Sequence, residues 1–358
     1  MTKLFDIFPE ALFHECVEKG LVRQAFHPSK PYAILNYTEK AQYEGEWNEC
    51  TLACRGLIYN HLTMEVIARP FKKFFNYGDS MAGNFMLDEH VRVTDKLDGS
   101  MGVLYDGNCI ATRGSFVSDQ AIHATELLRR KYNDCDIPAG WTGIFEIIYP
   151  ENRIVIDYGD FDDLVLLGMV EIDTGKSEGP HYWSGGWSGP TVPVFDYCMF
   201  GAALEAHDRQ NAEGMVVHFL LSDKRIKIKQ ADYVALHKII SGLNERVVWE
   251  HISNGNELET LLDGLPDEFH VWVREVAGRL KATVEASARE VESAYSAILA
   301  TLPEDYTQKD FAMIAKEHPR KSELFARHAG KSYQQKLWDD IYPEAKKSPR
   351  NSDSALDN

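Results

Sequence analysis

The sequence predicts an α+β fold, with antiparallel sheets flanked by helices in the N-terminal part and helices alone in the C-terminal part. From about residue 30 to 230, short β-branched and aromatic runs alternate with turn residues, a pattern typical of strands. After residue 230, apolar residues recur at helical spacing. We therefore expect one domain at 1–243, a helical domain at 244–345 and a polar, disordered tail at 346–358.

The individual elements follow from the same patterns. Helical periodicity behind a Ser118 or Asp119 cap predicts a helix at 120–132. The string HYWSGGWSGP at 181–190 predicts a surface loop. Apolar positions 269, 273, 276, 280, 284, 291, 295 and 298 predict one long helix, or two joined ones, within 266–302. The predicted strands are 55–59, 91–94, 102–105, 110–112, 143–148, 154–156, 164–172, 215–219 and 225–229.

Composition narrows the functional class. The 358-residue chain is 44% hydrophobic, enough for a globular core, and no apolar run approaches the roughly 18 residues of a membrane-spanning helix. The start has no signal-peptide shape, and the six cysteines are scattered, so we expect reduced thiols in a cytoplasmic protein. A net charge of −17 argues against a protein that coats long RNA, but it permits an enzyme with basic residues concentrated in one pocket.

A lysine closely follows the predicted strand 91–94. The string KLDGS starts at Lys96, which places an amine at a turn between two strands. Such an amine can attack the α-phosphate of a nucleotide if neighbouring cations or partial desolvation lower its pKa. Gly99 would let the backbone approach the nucleotide, and Asp98 could orient the amine or a polar group of the sugar. An exposed β-turn would explain the string equally well if it stood alone.

Charged residues downstream indicate a polyphosphate site. Alternation in strand 225–229 places Arg225, Lys227 and Lys229 on one face. Three cations on one face repel each other unless an anion binds there, and Glu213 could hold the metal that neutralises that anion. A solvated strand face and a turn glutamate are the alternatives for each feature in isolation.

The order of these strings resembles a known superfamily. Lys-x-Asp-Gly, Phe-Glu, Glu-Gly-hydrophobic-Val and Lys-x-Lys are similar to motifs I, III, IV and V of the covalent nucleotidyltransferases. More narrowly, seven blocks between residues 30 and 240 resemble the RNA ligase 1 family of T-even phages: CRGLIYN (54–60), ARPFKKFFN (68–76), KLDGS (96–100), TRGSFVSDQA (112–121), FEIIYPENRIVIDY (145–158), EGMVV (213–217) and KIKQADYVALH (227–237). Beyond about residue 245 nothing aligns.

The resemblance implies a role for each matching residue. Lys96 would be the adenylylated nucleophile, and Glu213 would organise the catalytic metal, with Glu146 near the metal or the ribose. Lys227 and Lys229 would contact the α-phosphate and depress the pKa of Lys96. The implied catalytic set is therefore Lys96, Glu213, Lys227 and Lys229, and the implied nucleotide-binding set is Lys96, Asp98, Gly99, Arg55, Lys73, Phe75, Arg113, Glu146, Lys227, Lys229, Tyr37 and Tyr233.

Some of these residues have more specific implied contacts. Arg55 and Lys73 would grip the triphosphate or the RNA phosphate, and Phe75 would pack on adenine. Tyr37 and Tyr233 match tyrosines without an assigned role. Arg113 stands where the phage relatives carry lysine in a Lys-Gly-Ser block. Arginine keeps the charge but presents a planar fork, so a phosphate-contact role is expected to survive.

The activity implied is that of an ATP-dependent RNA ligase. Lys96 would take AMP from ATP, AMP would pass to the 5′-phosphate of RNA, and a 3′-hydroxyl would displace it, with Mg²⁺ or Mn²⁺ neutralising charge. The expected partner is RNA, in particular tRNA broken in the anticodon loop, whose ends an upstream kinase and phosphatase would prepare. No membrane partner is expected.

Three alternatives remain open. A DNA ligase or a GTP-using capping enzyme shares the lysine motif but appends a small β-barrel. A second-type, nick-sealing or editing RNA ligase also has helical appendages. A catalytically silent RNA-binding scaffold is the third. Within the helical domain, basic residues that could contact RNA, or form a solvated helical face, are Lys309, Lys316, Arg320, Lys321, Arg327, His328 and Lys331.

Overall fold

The computed structural model describes residues 1–343 except 137, 184, 264 and 266, and it gives only the backbone of 235, 236, 238–241, 267 and 268. The chain divides into two compact units, one of residues 1–237 and one that begins at Lys238. The expected disordered tail at 346–358 lies outside the described residues. Among the described helices, none is long and apolar enough to cross a membrane.

The first unit is built mainly from strands. Those described are β1 Val22–Phe26, β2 Tyr32–Tyr37, β3 Arg55–Asn60, β4 Val66–Ala68, β5 Phe75–Asn76, β6 Val91–Lys96, β7 Ser100–Tyr105, β8 Cys109–Thr112, β9 Trp141–Ile148, β10 Asp163–Glu171, β11 Ser177–Glu178, β12 Val194–Phe195, β13 Gly214–Phe219 and β14 Arg225–Lys229. Its helices are α1 Glu10–Glu18, α2 Glu39–Glu44, α3 Glu49–Ala53, α4 Asp119–Lys131 and α5 Phe200–Leu204, and α6 Ala231–Gly242 leads into the second unit.

These strands form three sheets. Their orders are β1-β2-β3-β4, β11-β10-β9-β7-β8 and β12-β6-β13-β14-β5. Every pair is antiparallel among the described strands except β5 with β14. The predicted α+β class with antiparallel sheets is therefore confirmed.

Apolar burial holds the sheets in place. Ile34 and Ile58 of the first sheet pack with Val103 and Ile144 of the second in one cluster. Helix α4 covers the other face of the second sheet through Ala124, Leu127 and Leu128. Its N-terminus is set by Ser118, whose hydroxyl accepts a hydrogen bond from the Ala121 amide, as the sequence predicts.

The second unit is helical throughout its described residues. Its helices are α7 Glu245–Ser253, α8 Leu258–Leu262, α9 Asp267–Thr301, α10 Gln308–Ala315, α11 Lys321–His328 and α12 Gln334–Asp339. Helix α9 is the predicted long helix, and its apolar stripe is buried at Phe269, Val273, Val276, Leu280, Val284, Val291 and Ile298.

Two expectations for local structure are wrong. Residues 154–156 form no strand, because the amides of Val155 and Ile156 donate to the Asp98 carboxylate instead of a ladder. The surface-loop prediction for 181–190 is wrong for Trp183 and Trp187, which are buried in the cluster beneath α4, although Tyr182 and Gly185 are exposed. The indole of Trp183 donates to the Asp136 carbonyl and that of Trp187 to the Pro190 carbonyl, so both polar ends are satisfied inside.

Candidate active site

Lys96 is the last residue of β6 rather than a turn residue. The turn that follows returns the chain into β7 at Ser100. Gly99 is required there because a Cβ would lie 2.6 Å from the Ile147 carbonyl oxygen of β9. The sequence predicts that this glycine admits a nucleotide, whereas the close approach in the structure is that of the neighbouring strand.

Glu213 faces Lys96 across the sheet. It precedes β13, in which Gly214 pairs with Lys96 on one side and with Lys229 on the other. Gly214 has φ of +150°, and a Cβ there would lie 2.1 Å from the Ile228 carbonyl oxygen, so the position accepts only glycine. One carboxylate oxygen of Glu213 lies 2.6 Å from the Lys96 Nζ and 3.1 Å from the Lys229 Nζ.

The electrostatics of Lys96 differ from the expectation of a depressed pKa. Burial lowers the pKa of Lys96, but the negative charges of Glu213 and Glu146 outweigh burial and raise it overall. Lys227 and Lys229 therefore do not determine the charge of this amine. The negative charges of Glu213 and Glu146, which raise the pKa of Lys96, could also be neutralised by a divalent cation.

Lys227 is the residue of this group whose charge is least favourable. It is 4% exposed, and burial together with the positive charges of Lys96, Lys73 and Arg55 holds its pKa well below the usual range. The pKa of Lys229 is also lowered, again mainly by burial. Buried cations that repel one another mark a place where an anion would be stabilised.

Asp98 and Tyr233 hold the backbone near Lys96 through hydrogen bonds. Asp98 is 3% exposed, and one of its oxygens accepts the amides of Val155 and Ile156 at 2.7 and 2.8 Å. Its other oxygen accepts the Tyr233 hydroxyl at 2.8 Å, and its own amide donates to the Tyr158 hydroxyl. Asp98 thus fixes the segment after β9, and its carboxylate is engaged there rather than with the Lys96 amine.

Glu146 lies on β9, opposite β6. Its carboxylate accepts the Gly99 amide at 2.9 Å, which holds the backbone beside Lys96. Because its charge also raises the pKa of Lys96, the two side chains lie within electrostatic range of each other. The predicted Phe-Glu string therefore lies in this site.

The upstream residues gather around Tyr37. Its hydroxyl accepts from Arg113 at 2.8 Å and from the Lys73 Nζ at 3.2 Å. The Lys73 amine also lies 5.0 to 5.8 Å from the rings of Tyr37, Trp47 and Phe75. Phe75 packs edge-on against Trp47. The planar fork of Arg113 contacts the Tyr37 ring at 5.1 Å, a contact that suits arginine better than lysine.

A cavity opens between the second and third sheets beside Lys96. Of the described residues, those lining it include Lys96, Asp98, Gly99, Glu146, Glu213, Lys227 and Arg55, but not Lys73, Phe75, Tyr37, Arg113, Tyr233 or Lys229. Arg225, predicted on the same strand face as Lys227, lines the cavity too, and so do Arg92 and His218, which the sequence did not single out. Strand alternation could have identified them, because they lie on the same strand faces as Lys96 and Lys227.

The donor set fits a hard divalent cation. One oxygen of Glu213 is buried without a hydrogen-bond partner among the described residues. No group of three His, Cys, Asp or Glu that could hold a metal occurs in the described part of the chain. A cation here would therefore take few ligands from the protein and the rest from phosphate and water, which is how Mg²⁺ is commonly bound.

Comparison with known families fits this geometry. A family described as RNA ligase matches residues 53–182. Over this segment, about a third of the chain, the sequence is similar to that family. The match contains Lys96 and Glu146, and it ends before Glu213.

Individual proteins named as RNA ligases are also similar to this chain. The chain is 33% identical to a putative RNA ligase of Thermovibrio ammonificans over 138 residues, covering 34% of each protein. It is 23% identical to an RNA ligase of Rhodothermus phage RM378 over 371 residues, covering 78% of this chain and 81% of the relative. Similarity to RNA ligase 1 of Bacteriophage TS2126 is 26% and covers 46% of each. The chain thus spans only about a third of the first relative.

Among solved structures, a Naegleria gruberi RNA ligase is similar, at 18% identity and a TM-score of 0.34. The likeness covers 42% of this chain and 52% of that one. It is too distant to bear on function.

Proposed function

We propose that this protein is an ATP-dependent RNA ligase in which Lys96 carries AMP. The observation that supports it best is the position of the Lys96 amine, 2.6 Å from a buried glutamate and beside the buried cation Lys227 in one cavity. A structural ion pair would need no cavity and no additional buried cations. A nucleophile that must meet a polyphosphate needs both.

The proposed chemistry is three substitutions at phosphorus. The Lys96 ammonium first passes a proton to the Glu213 carboxylate 2.6 Å away. The neutral Nζ then attacks the α-phosphorus of ATP, a P–N bond forms, and the bond to the β-phosphate bridge oxygen breaks with release of pyrophosphate. A 5′-phosphate oxygen of RNA then displaces the lysine to give adenylylated RNA. A 3′-hydroxyl oxygen finally attacks that 5′-phosphorus, and AMP leaves as the new phosphodiester forms.

The protein's own groups neutralise and aim the phosphates. In this proposal Lys227 and Lys229 hold the α-phosphate oxygens. Lys227 and Arg55 line the cavity, and the Lys229 amine contacts Glu213. Glu213 and Glu146 would hold a Mg²⁺ or Mn²⁺ ion, which would supply charge neutralisation when bound. Gly99 and Asp98 fix the backbone on either side of the amine's turn, which limits the movement of the nucleophile.

Our proposal for the RNA is a broken strand with 5′-phosphate and 3′-hydroxyl ends, with tRNA cleaved in its anticodon loop as the specific candidate. This rests on the resemblance to phage RNA ligase 1 and on the helical second unit. An upstream kinase and phosphatase would generate those ends. A DNA ligase or capping enzyme is less well supported, because the described part of residues 245–343 contains helices and no β-barrel.

Incubation with α-³²P-labelled ATP and Mg²⁺ tests the proposal. We expect a covalent label on the wild-type protein, none on Lys96→Ala, and an undiminished label on Lys40→Ala, an exposed lysine on the first unit. Chase with 5′-phosphorylated, 3′-hydroxyl RNA should move the label to RNA and then to free AMP. An unlabelled wild-type protein would contradict the proposal and favour the scaffold alternative.

A further inference from the structure

The cavity continues beyond Lys96 to a second polar end. Arg92 lies four residues before Lys96 on β6, which is about 13 Å of strand. Arg92 pairs with His218 on β13, and His218 pairs with Arg225 on β14. Because alternate residues share a face, these three side chains lie on the face that carries Lys96 and Lys227.

Apolar side chains separate the two polar ends. Val216 lies between Gly214 and His218 on the same face, and Leu167 lines the cavity as well. Thr94, which pairs with Val216, adds one hydroxyl to this middle part. The cavity therefore has charged groups around Lys96, a mostly apolar middle, and a far end with two guanidiniums and an imidazole. This order of groups along the cavity matches the phosphate, sugar and base of a nucleotide, and the cavity and a nucleotide have comparable lengths.

His218 presents a hydrogen-bond acceptor to this end. It is 7% exposed, its Nε2 lies 2.6 Å from Asp223 Oδ1, and its Nδ1 is buried without a partner among the described residues. Burial is the main cause that lowers the pKa of His218, which favours the neutral ring. Burial alone would raise the pKa of Asp223, but hydrogen bonds from His218 and Ser177 lower it. Because that carboxylate can only accept, Nε2 carries the proton and Nδ1 is left as an acceptor.

Arg92 presents a donor beside it. One terminal nitrogen of its guanidinium is buried without a partner in the described part of the chain. Gly179 gives the guanidinium room, because a Cβ there would lie 2.7 Å from the same nitrogen. A buried guanidinium donor and a buried imidazole acceptor, both unsatisfied and both lining one cavity, would each gain from a complementary ligand.

We propose that Arg92 and His218 recognise the edge of the nucleobase and select adenine over guanine. His218 Nδ1 would accept from the exocyclic amine of adenine, and Arg92 would donate to the adjacent ring nitrogen. Guanine presents the opposite pattern there, a carbonyl oxygen facing an acceptor and an N–H facing a donor. The inference rests on the proposed function and deepens it by naming the residues that choose the nucleotide.

A neighbouring network holds His218 in place. Asp223 accepts from the Ser177 amide and hydroxyl, and the Ser177 hydroxyl accepts from Arg225. The Arg225 guanidinium lies 4.2 Å from the Phe71 ring. Asp223, Ser177 and Arg225 are positioning residues in this account, because they act through His218.

Nucleotide analogues separate base recognition from a structural role. The readout is kcat/KM for covalent labelling of the full-length protein with ATP, with purine riboside triphosphate, which lacks the exocyclic amine, and with GTP. We expect the wild-type protein to prefer ATP over each by about 10- to 100-fold. For His218→Phe we expect slower covalent labelling with ATP. We also expect the ratio of kcat/KM for ATP to that for purine riboside triphosphate to fall to near unity. His90→Phe, an exposed histidine just before β6, should keep the wild-type ratio.

A second variant tests the donor independently. The 1-deaza analogue of ATP replaces the ring nitrogen with C–H, and we expect the wild-type protein to use it about tenfold or more less well than ATP, while Arg92→Met should treat the two alike. Thermal unfolding confirms that each variant is folded. The inference is overturned if His218→Phe keeps the wild-type ratio, or if the folded variant labels with no nucleotide. An unlabelled wild-type protein would instead contradict the proposed function.

Discussion

At the residue scale, one buried carboxylate organises the site. A Glu213 oxygen contacts the amines of both Lys96 and Lys229, and its partner oxygen is buried without a hydrogen bond among the described residues. Glu213, Lys96 and Lys229 were predicted because the order of their strings resembles the motifs of the covalent nucleotidyltransferases. The sequence could not predict that the pKa of Lys96 is raised, because that depends on the distance between residues 117 positions apart in the chain.

Glu213→Gln keeps the shape of the side chain and removes its charge. We expect the rate of covalent labelling with ATP to fall about 100- to 1000-fold, because both the counter-charge to two ammonium groups and a metal ligand are lost. The check is single-turnover labelling across a Mg²⁺ or Mn²⁺ titration. Glu205→Gln, an exposed glutamate on the same unit, is the matched control. A rate within about twofold of the wild type would contradict the role of Glu213.

Tyr233→Phe removes the hydroxyl that donates to Asp98. The variant leaves a buried carboxylate oxygen short of one donor, so we expect the free energy of unfolding to fall by about 1 to 3 kcal/mol. Denaturant unfolding measures this loss, with Tyr43→Phe, an 83% exposed tyrosine, as control. Equal stability of the two variants would show that the Tyr233 bond to Asp98 contributes nothing.

At the element scale, the sequence predicted what depends on local patterns. Strands 55–59, 215–219 and 225–229 were found because their residues alternate or are β-branched, and α9 was found from its apolar stripe. Residues 154–156 have a strand-like composition, yet their amides bond to a side chain 57 residues away. The tryptophans of the 181–190 loop are buried by partners distant in sequence. Such long-range contacts cannot be inferred from a local string.

Gly99 and Gly278 give opposite predictions for the same substitution. Gly99→Ala forces a Cβ against the Ile147 carbonyl, so we expect a loss of about 1 to 3 kcal/mol in the free energy of unfolding and slower labelling with ATP. Gly278 lies within α9, and a Cβ added there would meet no described atom within 4 Å, so Gly278→Ala should gain about 0.5 to 1 kcal/mol. Denaturant unfolding of both variants checks the pair. A tolerated Gly99→Ala would contradict the close strand contact.

At the scale of the whole molecule, the proposed function raises the question of how a chain of net charge −17 would meet RNA. Several basic residues expected to contact RNA in the second unit are neutralised: Arg320 pairs with Glu290 and Asp340, and Arg327 pairs with Glu292. On the first unit, a groove is lined by Lys72, Lys176 and Lys224, of which Lys176 pairs with Glu178. Phe71, Phe74 and Arg225 line both this groove and the cavity of Lys96, so the two are contiguous.

Reversing these three groove charges should slow the transfer of AMP to RNA and leave the reaction with ATP unchanged. For Lys72→Glu, Lys176→Glu and Lys224→Glu combined, we expect labelling with ATP to remain unchanged and transfer of AMP to RNA to slow by about tenfold or more, with a weaker salt dependence. The rate of AMP transfer is measured by chase at several salt concentrations. Substituting Lys3, Lys19 and Lys40 by Glu gives the same charge change elsewhere. Equal slowing by both triple variants would leave no role for the groove.

The most direct test of the account is to find where AMP is attached. The wild-type protein is incubated with ATP and Mg²⁺, digested under conditions that preserve a phosphoramidate, and the peptides are sequenced by mass spectrometry. We predict a single AMP group on the side-chain nitrogen of Lys96. AMP on Lys227, Lys229 or another residue, with Lys96 unmodified, would contradict it.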